Sequence, residues 1–133
     1  MPEDINTTPN QKREKPNKEV FPWEELRKDA REFKDQSFFR TQEGDQAGAQ
    51  QLLYKAGEAN EKAFDLTSDP KYKLTKVLIG LDATLDFYNS MHLIEANRMS
   101  TKALEIVNET DNPDAFKMLT WIKNATQPQN PSQ

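Results

Sequence analysis

"PKYKLTKVLIGLDATLDFYNSMHLIEANRMSTKALEIV", residues 70–107, contains no proline after its first residue and only Gly80 as an interruption. At about 100° per residue, Leu74, Val77, Leu78, Leu81, Leu85, Tyr88, Met99, Ala103 and Ile106 fall on one side, the pattern of an amphipathic helix. The stretch predicts a helix from Pro70 to about Val107, with a weak point near Asn97–Ser100. Such an element is long beside the usual mean of about 12 residues. A second set, Ile79, Ala83, Phe87 and Ile94, recurs on the opposite side. One apolar stripe seats a helix on its own domain, and two stripes demand a second cover. The expectation is that the first stripe faces the core while Ile79, Ala83, Phe87 and Ile94 meet a protein partner or a second copy, as in a homo-oligomer. The competing arrangement covers that face within the chain, using the last helix and Phe38–Phe39.

Outside this stretch, proline marks where helices begin, because its missing N–H would have no intrahelical partner in the first turn. Asp69 precedes Pro70 and Asn112 precedes Pro113, each a short oxygen acceptor suited to capping. In "FPWEEL", Glu24 and Glu25 favour the positive end of the helix dipole. Trp23, Leu26, Ala30 and Phe33 form one stripe and predict a helix from Pro22 to about Gln36, which Phe38 and Phe39 could lengthen by a turn. Gly44 and Asp45 mark the turn that follows. A second helix, about Gln46 to Leu66, carries Ala49, Leu52, Ala56, Ala59, Ala63 and Leu66 in three-four alternation, and its alanines let another helix come close. The last helix, Pro113 to about Asn124, carries Ala115, Phe116, Leu119 and Ile122. No sustained alternation or hairpin dipeptide signals a strand. The fold class is all-α: a four-helix antiparallel bundle, or two stacked helical hairpins.

A chain of 133 residues has room for about one domain. Residues 20–124 are the expected helical domain, while 1–19 and 125–133 are rich in Pro, Asn, Gln and Lys and read as disordered tails. The N-terminal residues lack the apolar core of a secretory signal, and no run reaches the roughly 18 apolar residues of a membrane span. The reading is a cytoplasmic protein without membrane contact.

Several chemistries are disfavoured. The chain has no cysteine, which removes thiolate nucleophiles and Cys-ligated metal, and His92 is its one histidine, so an imidazole metal site lacks a second ligand. His92 points along the first stripe, where a neutral imidazole satisfied by Glu95 or the Tyr88 hydroxyl is expected; a pH-sensitive helix contact is the sharper alternative. Ser90, Ser100 and Ser37 could supply a Ser–His–carboxylate set, but no G-x-S-x-G elbow accompanies them. Asp82 and Asp86 stand four apart and read as a solvated acidic face rather than a cation or acid–base site. No catalytic residue, cofactor or metal is expected.

The net charge is −4, so nucleic-acid binding would have to be local. Lys12, Arg13, Lys15 and Lys18 continue into Arg27, Lys28, Arg31 and Lys34, yet residues 12–40 hold 9 basic against 7 acidic side chains, a balance suited to helical ion pairs. Lys71, Lys73 and Lys76 form a smaller cluster.

Two stretches echo each other 40 residues apart: "KAFDLTSDP" at 62–70 and "KALEIVNETDNP" at 102–113. The pair resembles tetratricopeptide-type helical hairpins, which place alanine inside and proline at the turn, though that family's Trp, Leu-Gly, Tyr pattern is out of phase here and its repeat of about 34 residues is shorter. The run "SDPKYKLTKVLIGLDATLDFYN" at 68–89 is similar to the central hairpin of small terminase subunits of tailed phages. That resemblance implies a ring-forming, DNA-handling subunit acting through the lysine clusters. The principal reading is a non-catalytic helical interaction protein, an adaptor or assembly subunit. The phage-type or nucleoid packaging accessory is the alternative.

Overall fold

Short oxygen-bearing side chains and prolines start the helix at Gln46, the last helix at Pro113 and a 3-10 turn at Pro70 where the sequence places them, while the helix expected from Pro70 begins three residues later, at Lys73. The Asp45 carboxylate accepts from Gly48 N–H (2.9 Å), Asp69 from Lys71 N–H (3.0 Å) and Asn112 from Ala115 N–H (3.1 Å). A computed structural model describes residues 21–128, which form α1 (Pro22–Gln42), α2 (Gln46–Leu66), α3 (Lys73–Asn89), α4 (Leu93–Val107) and α5 (Pro113–Ala125). A single 3-10 turn, Pro70–Tyr72, precedes α3, and no strand occurs among the described residues. The fold class is all-α, but five helices replace the expected four. The expected tail 1–19, with Lys12, Arg13, Lys15 and Lys18, lies outside the described residues, as do residues 129–133. The other tail expectation begins too early: α5 reaches Ala125, and the buried Thr126 hydroxyl donates to the Ile122 carbonyl (2.7 Å).

The long helix is broken at Ser90–His92, not near Asn97–Ser100. Met91 takes a left-handed backbone, φ 68°, and its N–H donates to the Tyr88 carbonyl (3.0 Å), while His92 N–H donates to the Phe87 carbonyl (2.9 Å). These crossed bonds are the Schellman termination of a helix, which glycine ordinarily provides. α1 ends the same way: Gly44 has φ 84°, its N–H donates to Thr41, and Asp45 N–H donates to Arg40 (3.0 and 2.8 Å). α1 also runs a turn and a half past the expected Gln36. Ser37 is buried there because its hydroxyl donates to the Ala49 carbonyl of α2 (2.8 Å), locking the two helices together near their turn.

The chain is thus two helical hairpins, α1–α2 and α3–α4, followed by α5. Consecutive helices pack antiparallel, Gly57 of α2 against Phe87 of α3 and Gly80 of α3 against Ala103 of α4. Alternate helices lie side by side. Arg27 and Lys34 of α1 pair with Asp82 and Asp86 of α3, and Tyr88 of α3 meets Trp121 of α5 edge to face. In the other layer Glu61 of α2 bonds both Arg98 and Lys102 of α4, and Asp65 bonds Lys102. Glu61 is partly buried, which favours its neutral form, yet the hydrogen bonds from Arg98 and Lys102 prevail and hold its carboxyl below the ordinary value.

Close approach decides which side of α3 is inside. Gly80, Ala83 and Thr84 are small, so α2 and α4 both come near this face, and Ile79, Ala83 and Phe87 pack with Ala63, Phe64, Ala96, Met99, Ala103, Leu119 and Ile122 in the main core. A Cβ on Gly57 would lie 2.8 Å from the Phe87 ring. Fully burying a side chain of the size of Ile79 or Phe87 stabilises by about 1.5–3 kcal/mol. On the opposite side of α3, Val77 is buried against Val107 and Ala115, Leu81 and Leu85 lean on the core, and Leu74 and Leu78 stand exposed.

Candidate interaction surface

Three of the four residues expected to meet a partner are internal: Ile79, Ala83 and Phe87 are buried within the chain. Only Ile94 is at the surface, 80% exposed, where the turn delivers it to the start of α4 beside the exposed Met91 and Leu93. The two faces of α3 have largely exchanged roles, although Val77 of the first stripe, with Met99 and Ala103 that continue it on α4, is fully buried as expected. Periodicity identifies both as apolar, but it carries no information on which one small residues allow other helices to approach.

The first stripe is the one left partly open. Leu74 is 50% and Leu78 is 40% exposed. Leu81, Leu85 and Tyr88 are half-buried, each leaning on the core with one edge. Tyr88 sits edge-on to Trp121 (5.8 Å between centroids), which is itself 58% exposed, so the stripe continues from α3 onto α5. The spacing Leu74, Leu78, Leu81, Leu85, Tyr88 is four-three-four-three. That is the 3.5-residue repeat into which a second helix fits its side chains.

Beside this stripe, where α1 meets α3, lies a polar junction. Arg27 Nη1 donates to Asp82 Oδ2 (2.6 Å) and to Asn60 Oδ1 (3.1 Å). Asn60 Nδ2 donates to Asp86 Oδ2 (2.8 Å), and Lys34 Nζ lies 3.2 Å from Asp86 Oδ1. Asn60 is fully buried and Asp86 is 3% exposed, so the expected solvated acidic face is instead an internal network spanning three helices. Burial pushes the Asp86 carboxyl up to about 6; Lys34 and the Asn60 hydrogen bond oppose that rise without cancelling it. Sequence spacing on α3 alone could not reveal this, because the matching cations are on α1.

His92 is not on a core stripe. It precedes α4, its ring lies over Tyr54 (4.2 Å between centroids), and Nδ1 is 2.9 Å from Ser90 Oγ rather than bonded to Glu95 or Tyr88. The Ser90 hydroxyl also lies within hydrogen-bond distance of the Phe87 carbonyl (3.0 Å). Both side chains belong to the turn between α3 and α4, which the pair helps to close. The lysine cluster is also largely committed. Lys73 pairs with Glu109, and Lys76 donates to the Phe64 carbonyl with its ammonium 4.1 Å from the centre of that ring. Desolvation lowers the Lys76 pKa, and Lys71 is exposed, with its ammonium 5.4 Å from the centre of the Tyr72 ring. No group of three or more His, Cys, Asp or Glu suited to a metal ion occurs among the described residues, and none of their helices is long and apolar enough to cross a membrane.

Comparison of the chain with protein families, with characterised proteins and with solved structures finds no match.

Proposed function

We propose that this chain is a non-catalytic helical interaction protein whose docking face is the leucine stripe of α3, receiving an amphipathic helix from a protein partner or from a second copy. The supporting observation is the partly open 3.5-residue repeat from Leu74 to Tyr88, extended by Trp121. Water-exposed leucines at this spacing gain about 25 cal/mol for each Å² that a partner covers. The non-catalytic part of the reading draws on the Ser90–His92 pair, which is engaged within the turn between α3 and α4.

The test is Leu78→Asp. The variant should keep its helical circular dichroism, since Leu78 is 40% exposed and can turn a charge to water, while losing self-association in light scattering or the binding of a helical partner. A variant with unchanged mass and unchanged binding would overturn the proposal. Ile94→Asp, away from the stripe, should leave both intact.

A further inference from the structure

The open apolar surface of α3 and α5 differs at its two ends. Toward the start of α3 it is aliphatic, with Leu74 and Leu78 exposed. Toward the end of α3 it is aromatic, where Tyr88 stands edge-on to the exposed Trp121 of α5. Leu81 lies midway, seven residues from Leu74 and seven from Tyr88. Charge is distributed along the same line. The exposed Lys71 stands just before α3, at the positive end of that helix's dipole, and the last turn of α3 holds no basic residue to meet the negative end. Along the edge toward α1 the charges are already matched within the chain, Arg27 with Asp82 and Lys34 with Asp86, so a partner of a single charge sign finds no opposite charge there.

We propose, resting on the docking face assigned above, that its occupant is a second copy of this chain. The two α3 helices cross antiparallel about a two-fold axis at Leu81, Tyr88 and Trp121 of each copy cover Leu74 and Leu78 of the other, and Lys71 of each reaches the C-terminal end of the other's α3. Half a turn about that axis exchanges the two unlike ends, so what each copy lacks at one end the other supplies. The aliphatic end gains an aromatic cover, whose large apolar rings dominate interface burial. The positive start of each α3 comes beside the negative end of its counterpart. The four-three leucine spacing lets the two helices interdigitate, and a two-fold uses one self-complementary patch twice, the commonest symmetry of protein pairs. The internally matched Arg27–Asp82 and Lys34–Asp86 edge adds no like-charge repulsion between the identical surfaces.

The full chain should show a mass of twice 15.4 kDa in light scattering, and Trp121→Ala should raise the dimer dissociation constant about tenfold or more. The chain has no cysteine, so single introduced cysteines report the register. Leu81→Cys should cross-link to its own copy on mild oxidation. Leu74→Cys and Tyr88→Cys should each fail to cross-link alone and should cross-link when mixed, because like residues then stand about 21 Å apart along the helices and unlike ones stand opposite. Self-linking of Leu74→Cys without linking in the mixture would overturn the antiparallel pair. A wild-type chain that stays monomeric at millimolar concentration would overturn it too, a reading that needs no substitution and so decides even where a cysteine variant fails to fold. Titration with a synthetic leucine-repeat helix then separates this inference from the docking face itself. A monomer that binds the helix, and loses it in Leu78→Asp, overturns only the second copy as occupant; a monomer that binds nothing, or a dimer that survives Leu78→Asp, overturns both.

Discussion

The Cβ that Gly80 lacks would stand 2.8 Å from the Cβ of Ala103, closer than two carbon atoms can pack. Both lie on helix backbone, so neither can swing aside. Gly80→Ala gains about 1 kcal/mol of helix propensity, against overpacking that typically costs about 1–3 kcal/mol. The net expectation is destabilisation, read as a lower urea midpoint with an unchanged slope. A higher midpoint would show that α3 and α4 have slack at their crossing.

Met91 occupies a backbone region that costs a non-glycine residue roughly 1 kcal/mol or more. Because its side chain is exposed, Met91→Gly should raise stability by about 1 kcal/mol despite the greater freedom glycine gives the unfolded chain. Gly44→Ala, the mirror experiment at the other hairpin, should lower it by a similar amount. Thermal denaturation of the two variants side by side checks both.

The exchanged faces of α3 predict opposite outcomes for two substitutions of one kind. Phe87→Asp puts an unpaired charge into the main core and leaves a cavity, a loss of about 4 kcal/mol or more, most of the stability of a domain at the low end of the ordinary range of about 5–15 kcal/mol. Leu78→Asp should cost less than about 1 kcal/mol. Circular dichroism separates them.

Asp86 sets a pH dependence whose sign is the reverse of most carboxylates. Its folded pKa, about 6, lies above the ordinary 3.8, so the folded chain holds the proton more tightly than the unfolded one. The stability this gives is fully present below about pH 3.8 and is lost as pH rises through 6. Asp86→Asn should therefore exceed the wild type at pH 8 by on the order of 2 kcal/mol, with the gap closing toward pH 4. Glu61, held low by Arg98 and Lys102, works in the ordinary direction, and its stabilisation falls away as acid is added. Denaturant titrations of the variant and the wild type at several pH values distinguish the two.

The starts of α2, α5 and the turn into α3 were legible because Asp45, Asn112 and Asp69 cap by local chemistry, and the alanine face of α2 was legible because Ala49, Ala56, Ala59 and Ala63 are all buried where their spacing puts them. The Gly44 turn was legible for the same local reason. The Met91 turn was not: methionine carries no signal for a left-handed residue, and tertiary packing imposes the bend against a helical pattern that runs straight through it. The inner face of α3 depends on which small residues meet α2 and α4, a property of pairs of helices. Likewise Asp82 and Asp86 look solvated until Arg27, 55 residues before Asp82, and Lys34 are brought over them.

Each helix touches chiefly its first and second neighbours along the chain, so the molecule behaves as a short linear array. Among the described residues its cohesion is chiefly a sum of adjacent couplings, with at most marginal contact between α1 and α5. Loss of α5 would loosen α3 and α4 directly and reach α1 only through them, and melting should proceed inward from both margins with the α2–α3–α4 centre surviving longest.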